Sequence, residues 1–205
     1  MIGKGYTDRL LTEMQVIKLV HNAFSDDDME GKRVLCIIPD QTRTAPIDVM
    51  FRTVYAELAE RVELLDFIIA LGTHQPLSEE AINKRVGISQ SDRAAHYPQA
   101  RFFIHEWKNP DQLIVAGTFS EEEVLELSDG RMHAAVDVTI NKMIYDYDLL
   151  LIIADTSNNQ YYYLKLDIEV IGKFLITAML TRLSAKDSDA SNRFHPCALQ
   201  SERAD

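Results

Sequence analysis

Two short stretches of this 205-residue chain carry side chains whose types and spacing could do chemistry. The first is Asp40-Gln41-Thr42-Arg43, between an apolar run and a stretch with helical periodicity. The guanidinium of Arg43 is a planar fork that meets a carboxylate or phosphate at two points. Thr42 adds a hydroxyl donor, and Asp40 could orient Arg43 or a ligand hydroxyl. A helix starting just beyond would offer free N–H groups and partial positive charge to the same anions. The second stretch is Gly72-Thr73-His74, which also follows an apolar run. Gly72 lets the backbone turn sharply or approach a ligand. The imidazole of His74 takes and returns a proton near neutral pH. Plainer roles compete with each of these: an Asp after a strand caps the next helix, an exposed Arg is solvated, and a loop His bonds water or a carbonyl.

The elements around these stretches decide whether they can meet. Val34–Ile38 and Leu64–Leu71 are nearly continuous apolar runs, as expected of strands covered on both faces of a parallel sheet. A helix is predicted over 47–61, with Pro46 in its first turn. Thr12 and Gln15 form a capping box ahead of a stripe at Val16, Leu19, Val20 and Ala23. Ser78 caps a further helix through Val86. Short strands are expected at Arg101–His105 and Leu113–Val115, helices at Glu121–Leu127 and Asn141–Tyr145, and a third buried strand at Leu149–Ile153. This alternation predicts an α/β fold: a Rossmann-like layered domain with a mostly parallel sheet. In such a sheet both loops open at the carboxyl edge, where ligands bind.

The net charge of −11 lies entirely in residues 1–155 and disfavours nucleic acid or an anionic membrane as partner. No apolar run reaches membrane-span length, and no signal-peptide pattern opens the chain, so a cytoplasmic protein is expected. Cys36 reads as a small buried hydrophobe, and Cys36 and Cys197 lack metal-ligand spacing. His21, His96, His105 and His133 show no ligand spacing either, which leaves His74 as the one histidine singled out and no metal ligand assigned. Asp26-Asp27-Asp28 reads as a solvated turn, and Tyr161-Tyr162-Tyr163 as a packing surface. After Asp155 the charge balances. Residues 156–205 are expected to be a divergent tail, with one helix carrying Ile168, Ile171, Leu175 and Ala178, then a disordered polar end.

Ile37-Ile38-Pro39-Asp40-Gln41-Thr42-Arg43-Thr44-Ala45-Pro46, followed one helix and one strand later by Ala70-Leu71-Gly72-Thr73-His74-Gln75-Pro76, resembles the N-terminal domain of nickel-dependent lactate racemases. The resemblance continues through Ser128-Asp129-Gly130-Arg131, Val138–Lys142 and Tyr147-Asp148-Leu149. It implies racemisation or epimerisation of a 2-hydroxy acid by hydride transfer, with a nickel-pincer nucleotide as cofactor. By motif, Asp40, Gln41, Thr42 and Arg43 would bind cofactor, Arg43, Gly72 and Thr73 the substrate, and His74 would be a catalytic base.

Beyond Leu149–Ile153 the chain departs from that pattern. The family continues with a histidine, a Gly-rich stretch and a cofactor-bonding lysine, with a nickel-ligand histidine further on; here Asp155-Thr156-Ser157-Asn158-Asn159-Gln160 follows. The resemblance therefore implies a truncated member that lacks the covalent and nickel-binding residues and is inactive alone. The alternative expectation is a non-catalytic remnant that binds a mononucleotide or anion, or serves as an interaction module. Either form would expose an apolar face that favours self-association.

Overall fold

The computed structural model describes residues 6, 8–25, 28–43, 45–71, 75–155 and 161–166. Three strands form where the apolar runs predict them: β1 (Arg33–Pro39), β2 (Leu64–Ala70) and β6 (Leu149–Asp155). With β3 (Arg101–Ile104) they make four parallel strands in the order β3-β2-β1-β6, and β7 (Tyr161–Leu166) adds an antiparallel fifth beside β6. The chain winds outward from β1 to β2 and β3, then returns to the other side of β1 as β6. This is the α/β layered fold with a mostly parallel sheet expected from the sequence. β7 lies in the stretch read as a tail. The helix expected at Ile168–Ala178 and the polar end lie outside the described residues.

One face of the sheet carries most of the core. Val34, Cys36, Ile38, Leu65, Phe67, Ile69, Leu149 and Leu151 pack there against α1 (Glu13–Phe24) and α2 (Ile47–Leu58). The capping box forms as read: Thr12 N–H donates to Gln15 Oε1 at 3.0 Å, and Gln15 N–H to Thr12 Oγ1 at 3.4 Å. Of the predicted stripe Val20 is buried in the core, joined there by Phe24. Phe51 of α2 meets Phe67 and Tyr97 with ring centroids 5.0 Å apart. Cys36 is buried and its thiol is free; burial pushes its pKa up, so it is inert.

The other face is built by Leu35, Ile68 and Leu150, covered by Ile144 and Tyr147, with Ile37, Phe103, Ile140, Met143 and Ile152 at the margin. Ile144 belongs to a 3-10 turn, Lys142–Asp146, where the sequence reading expects a helix from Asn141. Asn141 instead ends β5 (Val136–Asn141), which pairs antiparallel with β4 (Leu113–Phe119) in a separate two-stranded ribbon. A register shift between Val115 and Gly117 interrupts that pairing, which hides its alternation in sequence. Three short helices, α3 (Glu79–Arg85), α4 (Gln90–His96) and α5 (Glu121–Leu127), and a 3-10 turn at Pro110–Gln112 complete the described elements.

Candidate functional site at the carboxyl edge of the sheet

Because β1 and β2 are parallel neighbours in register, Pro39 lies opposite Ala70, and both strands exit at the same level. The exits of β1 and β2 are therefore neighbours, about 4.8 Å apart. That is the juxtaposition expected from the sequence. Gly72, Thr73 and His74 themselves lie outside the described residues. Their anchors are described: Leu71 is buried with its N–H on the Ile69 carbonyl at 3.0 Å, and Ser78 caps α3 through Ala81 N–H at 3.2 Å.

The first loop separates its candidates into a scaffold and a reaching group. Asp40 is buried, 3% exposed, and its Oδ1 accepts both the N–H of Thr42 at 2.9 Å and the Thr42 hydroxyl at 2.5 Å. The carboxylate thus folds the loop back on itself, and Arg43 N–H closes the turn on the Asp40 carbonyl at 3.3 Å. Gln41, Thr42 and Arg43 are exposed. Among the described residues the Arg43 guanidinium has no ion-pair partner, so its charge is available to an incoming anion. Among the described residues no side chain caps α2, whose N-cap position is Pro46 rather than a serine or aspartate. The expected Pro46 in the first turn sits one position earlier, and Ile47 N–H turns back onto the Ala45 carbonyl at 2.8 Å.

Arg85 went unnoticed in the sequence. It is half-buried at the end of α3, and its Nε donates to the Pro39 carbonyl at 3.1 Å, tying that helix to the exit of β1. In sequence it reads as one more charge on a solvated helix face; only the packing of α3 onto the sheet edge reveals it.

His105 is the second residue missed. It directly follows β3, and its N–H extends the parallel ladder to the Ile69 carbonyl at 3.1 Å. A second histidine therefore stands at the carboxyl edge, beside the exit of β2, where the sequence reading places His74 alone. Its Nδ1 meets the Asn141 amide at 3.2 Å, and partial burial lowers its pKa below the usual 6.5. A cleft of about 450 Å³ opens next to it, lined by Ile104, Glu106, Gln112, Asn141 and Lys142 among others.

The remaining stretches quoted for the resemblance act as braces. Ser128–Arg131 ends α5, with Asp129 and Gly130 at φ 52° and 78° and Gly130 N–H on the Leu125 carbonyl at 2.8 Å. Asp148 grips Arg33 at the start of β1, with Oδ1 to Nη2 at 3.0 Å and Oδ2 to the backbone N–H at 2.8 Å. Those hydrogen bonds hold the Asp148 carboxyl below the usual carboxylate range. Tyr147 Oη donates at 2.5 Å to Asp66, a fully buried carboxylate in β2 that Arg101 of β3 also grips through Nε at 2.8 Å and Nη2 at 2.5 Å.

Fold and edge together define an α/β layered domain whose mostly parallel sheet carries an exposed arginine and a histidine at its carboxyl rim. The lactate racemase N-terminal domain family matches residues 20–157, and the chain belongs to that family. Among solved structures, it is similar to a crystal structure of a protein from Thermotoga maritima, with 25% identity and a TM-score of 0.59 over 72% of this chain. The match spans 35% of that structure's own length. No curated protein matches the chain. Among the described residues, no helix is long and apolar enough to cross a membrane.

Proposed function

We propose that this chain is the N-terminal half of a 2-hydroxy-acid racemase or epimerase of the lactate type, incomplete without groups supplied from elsewhere. The observation that carries the reading is the exposed Arg43, without an ion-pair partner among the described residues, on a loop braced by buried Asp40, beside the strand exit that leads to His74, in a chain of the lactate racemase family. Arg43 and the N-terminus of α2 bind the anionic end of the substrate or nucleotide. Asp40 borders the ligand and also holds Thr42, whose hydroxyl lies on the same loop. His74 serves as the base that takes the hydroxyl proton, and Gly72 and Thr73 shape the backbone approach to it.

The family implies a nickel-pincer nucleotide, which when bound would supply the hydride acceptor. Its anionic part fits the Arg43 loop and the uncapped helix. Its metal does not fit the described residues, among which no group of three His, Cys, Asp or Glu side chains could hold an ion. No step of the reaction is therefore assigned to nickel on this chain. Racemisation needs a proton acceptor on each face of the substrate, and the reading assigns one. The protein works in the cytoplasm, and its less covered sheet face, where Ile37 and Ile152 are only partly buried, favours self-association.

The test is calorimetry with L-lactate and with a pyridine mononucleotide, alongside a racemisation assay. Arg43→Ala should weaken binding by about 1–3 kcal/mol, the loss of a charge-assisted contact, while the isolated chain should not interconvert lactate enantiomers. Unchanged affinity in Arg43→Ala removes that residue from the site. Turnover by the isolated chain overturns the incompleteness. Mononucleotide binding with no lactate binding would instead favour the anion-binding remnant, a reading encouraged by the exposed Arg43.

A further inference from the structure

The hydrogen bonds around His105 fix which ring nitrogen carries its proton. Asn141 Oδ1 accepts the N–H of Met143 at 3.0 Å, so the oxygen of that amide is committed to the 3-10 turn. The nitrogen, Nδ2, therefore faces His105 Nδ1 at 3.2 Å, with Gln112 Oε1 at 3.4 Å as its other acceptor. An amide NH2 only donates, so Nδ1 must be the bare, accepting nitrogen, and the proton sits on Nε2. Protonating Nδ1 would set two donors against each other, which opposes the imidazolium in the same direction as partial burial does. The neighbouring carboxylate does not offset this. Glu106 Oε2 is taken by the amides of Asn109 at 3.1 Å and Gln112 at 3.0 Å. The one cation on the same turn, Lys142, is exposed and works against the imidazolium as well.

We infer that His105 is a fixed hydrogen-bond donor at the carboxyl edge, presenting Nε2–H to an oxygen of the bound hydroxy acid and not serving as its base. Among the described residues Nε2 has no partner. β3 lies two strand spacings, about 10 Å, from β1, and the exit of β2 falls between them. Arg43 and His105 thus stand on either side of the strand that leads to His74. A small hydroxy acid held across that exit meets a guanidinium on one side and a neutral N–H on the other. A lone pair tied to Asn141 cannot accept the substrate proton, which leaves proton removal to another group.

The inference rests on the proposed substrate class, so the experiment separates the two. The full chain, labelled with ¹⁵N-histidine, is titrated with L-lactate and followed by long-range ¹H–¹⁵N correlation. Before lactate is added, neutral His105 should show the Nε2–H tautomer, and Asn141→Leu should return it to a mixture of tautomers. Lactate should shift the Nε2 resonance. His105→Gln, which keeps an N–H donor near the Nε2 position, should bind within about threefold of the parent, whereas His105→Phe should lose about tenfold or more, one hydrogen bond to a charged ligand. An Nδ1–H tautomer overturns the inference, as does lactate binding that depends on Arg43 and leaves His105 unmoved. Lactate binding that shifts His105 but survives Arg43→Ala upholds the donor and refutes the Arg43 reading. A chain that binds no lactate at millimolar concentration overturns both.

Discussion

Replacing Arg101 by methionine should cost more stability than any single change at the ligand edge, although Arg101 is itself largely exposed. Its side chain is 55% accessible while its partner Asp66 is fully buried. Two guanidinium hydrogen bonds, at 2.8 and 2.5 Å, and one from Tyr147 at 2.5 Å satisfy the carboxylate. Methionine keeps most of the apolar stem and removes both charged donors, leaving a buried carboxylate with the phenol alone. Breaking a buried pair costs about 3–5 kcal/mol. Solvent reaches Arg101 and can partly hydrate the stranded charge, so about 2–4 kcal/mol is expected here. Tyr147→Phe removes one donor and leaves the ion pair, for about 1–2 kcal/mol. Asp66→Leu removes the charge together with its need for partners and should cost less than Arg101→Met, since Arg101 can turn to water. Urea unfolding of the four proteins, read by far-ultraviolet circular dichroism, gives each difference from the transition midpoint. The reasoning fails if Arg101→Met lies within 0.5 kcal/mol of the parent, a margin typical of inert surface changes, or if Asp66→Leu is the more damaging of the two.

Three further expectations follow from the same coordinates. His105 has a folded pKa below its ordinary 6.5, so the unfolded chain binds the extra proton first; stability should be full above pH 6.5 and fall as pH drops through the window below it, and His105→Gln should flatten that slope in pH-dependent urea titrations. Gly87 has φ +69° and an added Cβ would lie 2.6 Å from the Asp48 Cβ, so Gly87→Ala should cost roughly 2–4 kcal/mol from strain plus collision. Gly31→Ala, at φ +68° with open space around it, should cost only about 1 kcal/mol, and equal thermal shifts for the two would refute the collision. Thr12→Ala should remove the side-chain half of the α1 capping box for about 1 kcal/mol, measurable as a lower urea midpoint.

Much of the frame was legible because its signals are local. Val34–Ile38, Leu64–Leu71 and Leu149–Ile153 are apolar at successive positions, since both faces of a central parallel strand are covered, and each became a strand of the sheet. Thr12 and Gln15 cap α1 within one turn of chain. The Asp40 loop was legible as a candidate anion site because a strand end, an arginine and a helix start occur within a few residues. Elements that bury little left weaker signals. α4 has no buried residue and was not read at all, and the β4–β5 ribbon combines exposed Ile114 and Val115 with a bulge that breaks its period.

What the amino-acid order determined alone was therefore the succession of strands and helices, the two candidate loops and the family they resemble: all follow from neighbours on the chain. Tertiary structure decided which groups meet. Asp66 joins Arg101 across 35 residues and Tyr147 across 81, and Asn141 turns the ring of His105 from 36 residues away. A hydrogen bond depends on ångström-scale placement of two atoms, and between distant residues that placement is set by strand register and packing, which no local pattern encodes. For the same reason Asp40 proved to be the brace of its loop, and His105 moved from a polar afterthought to the rim of the site.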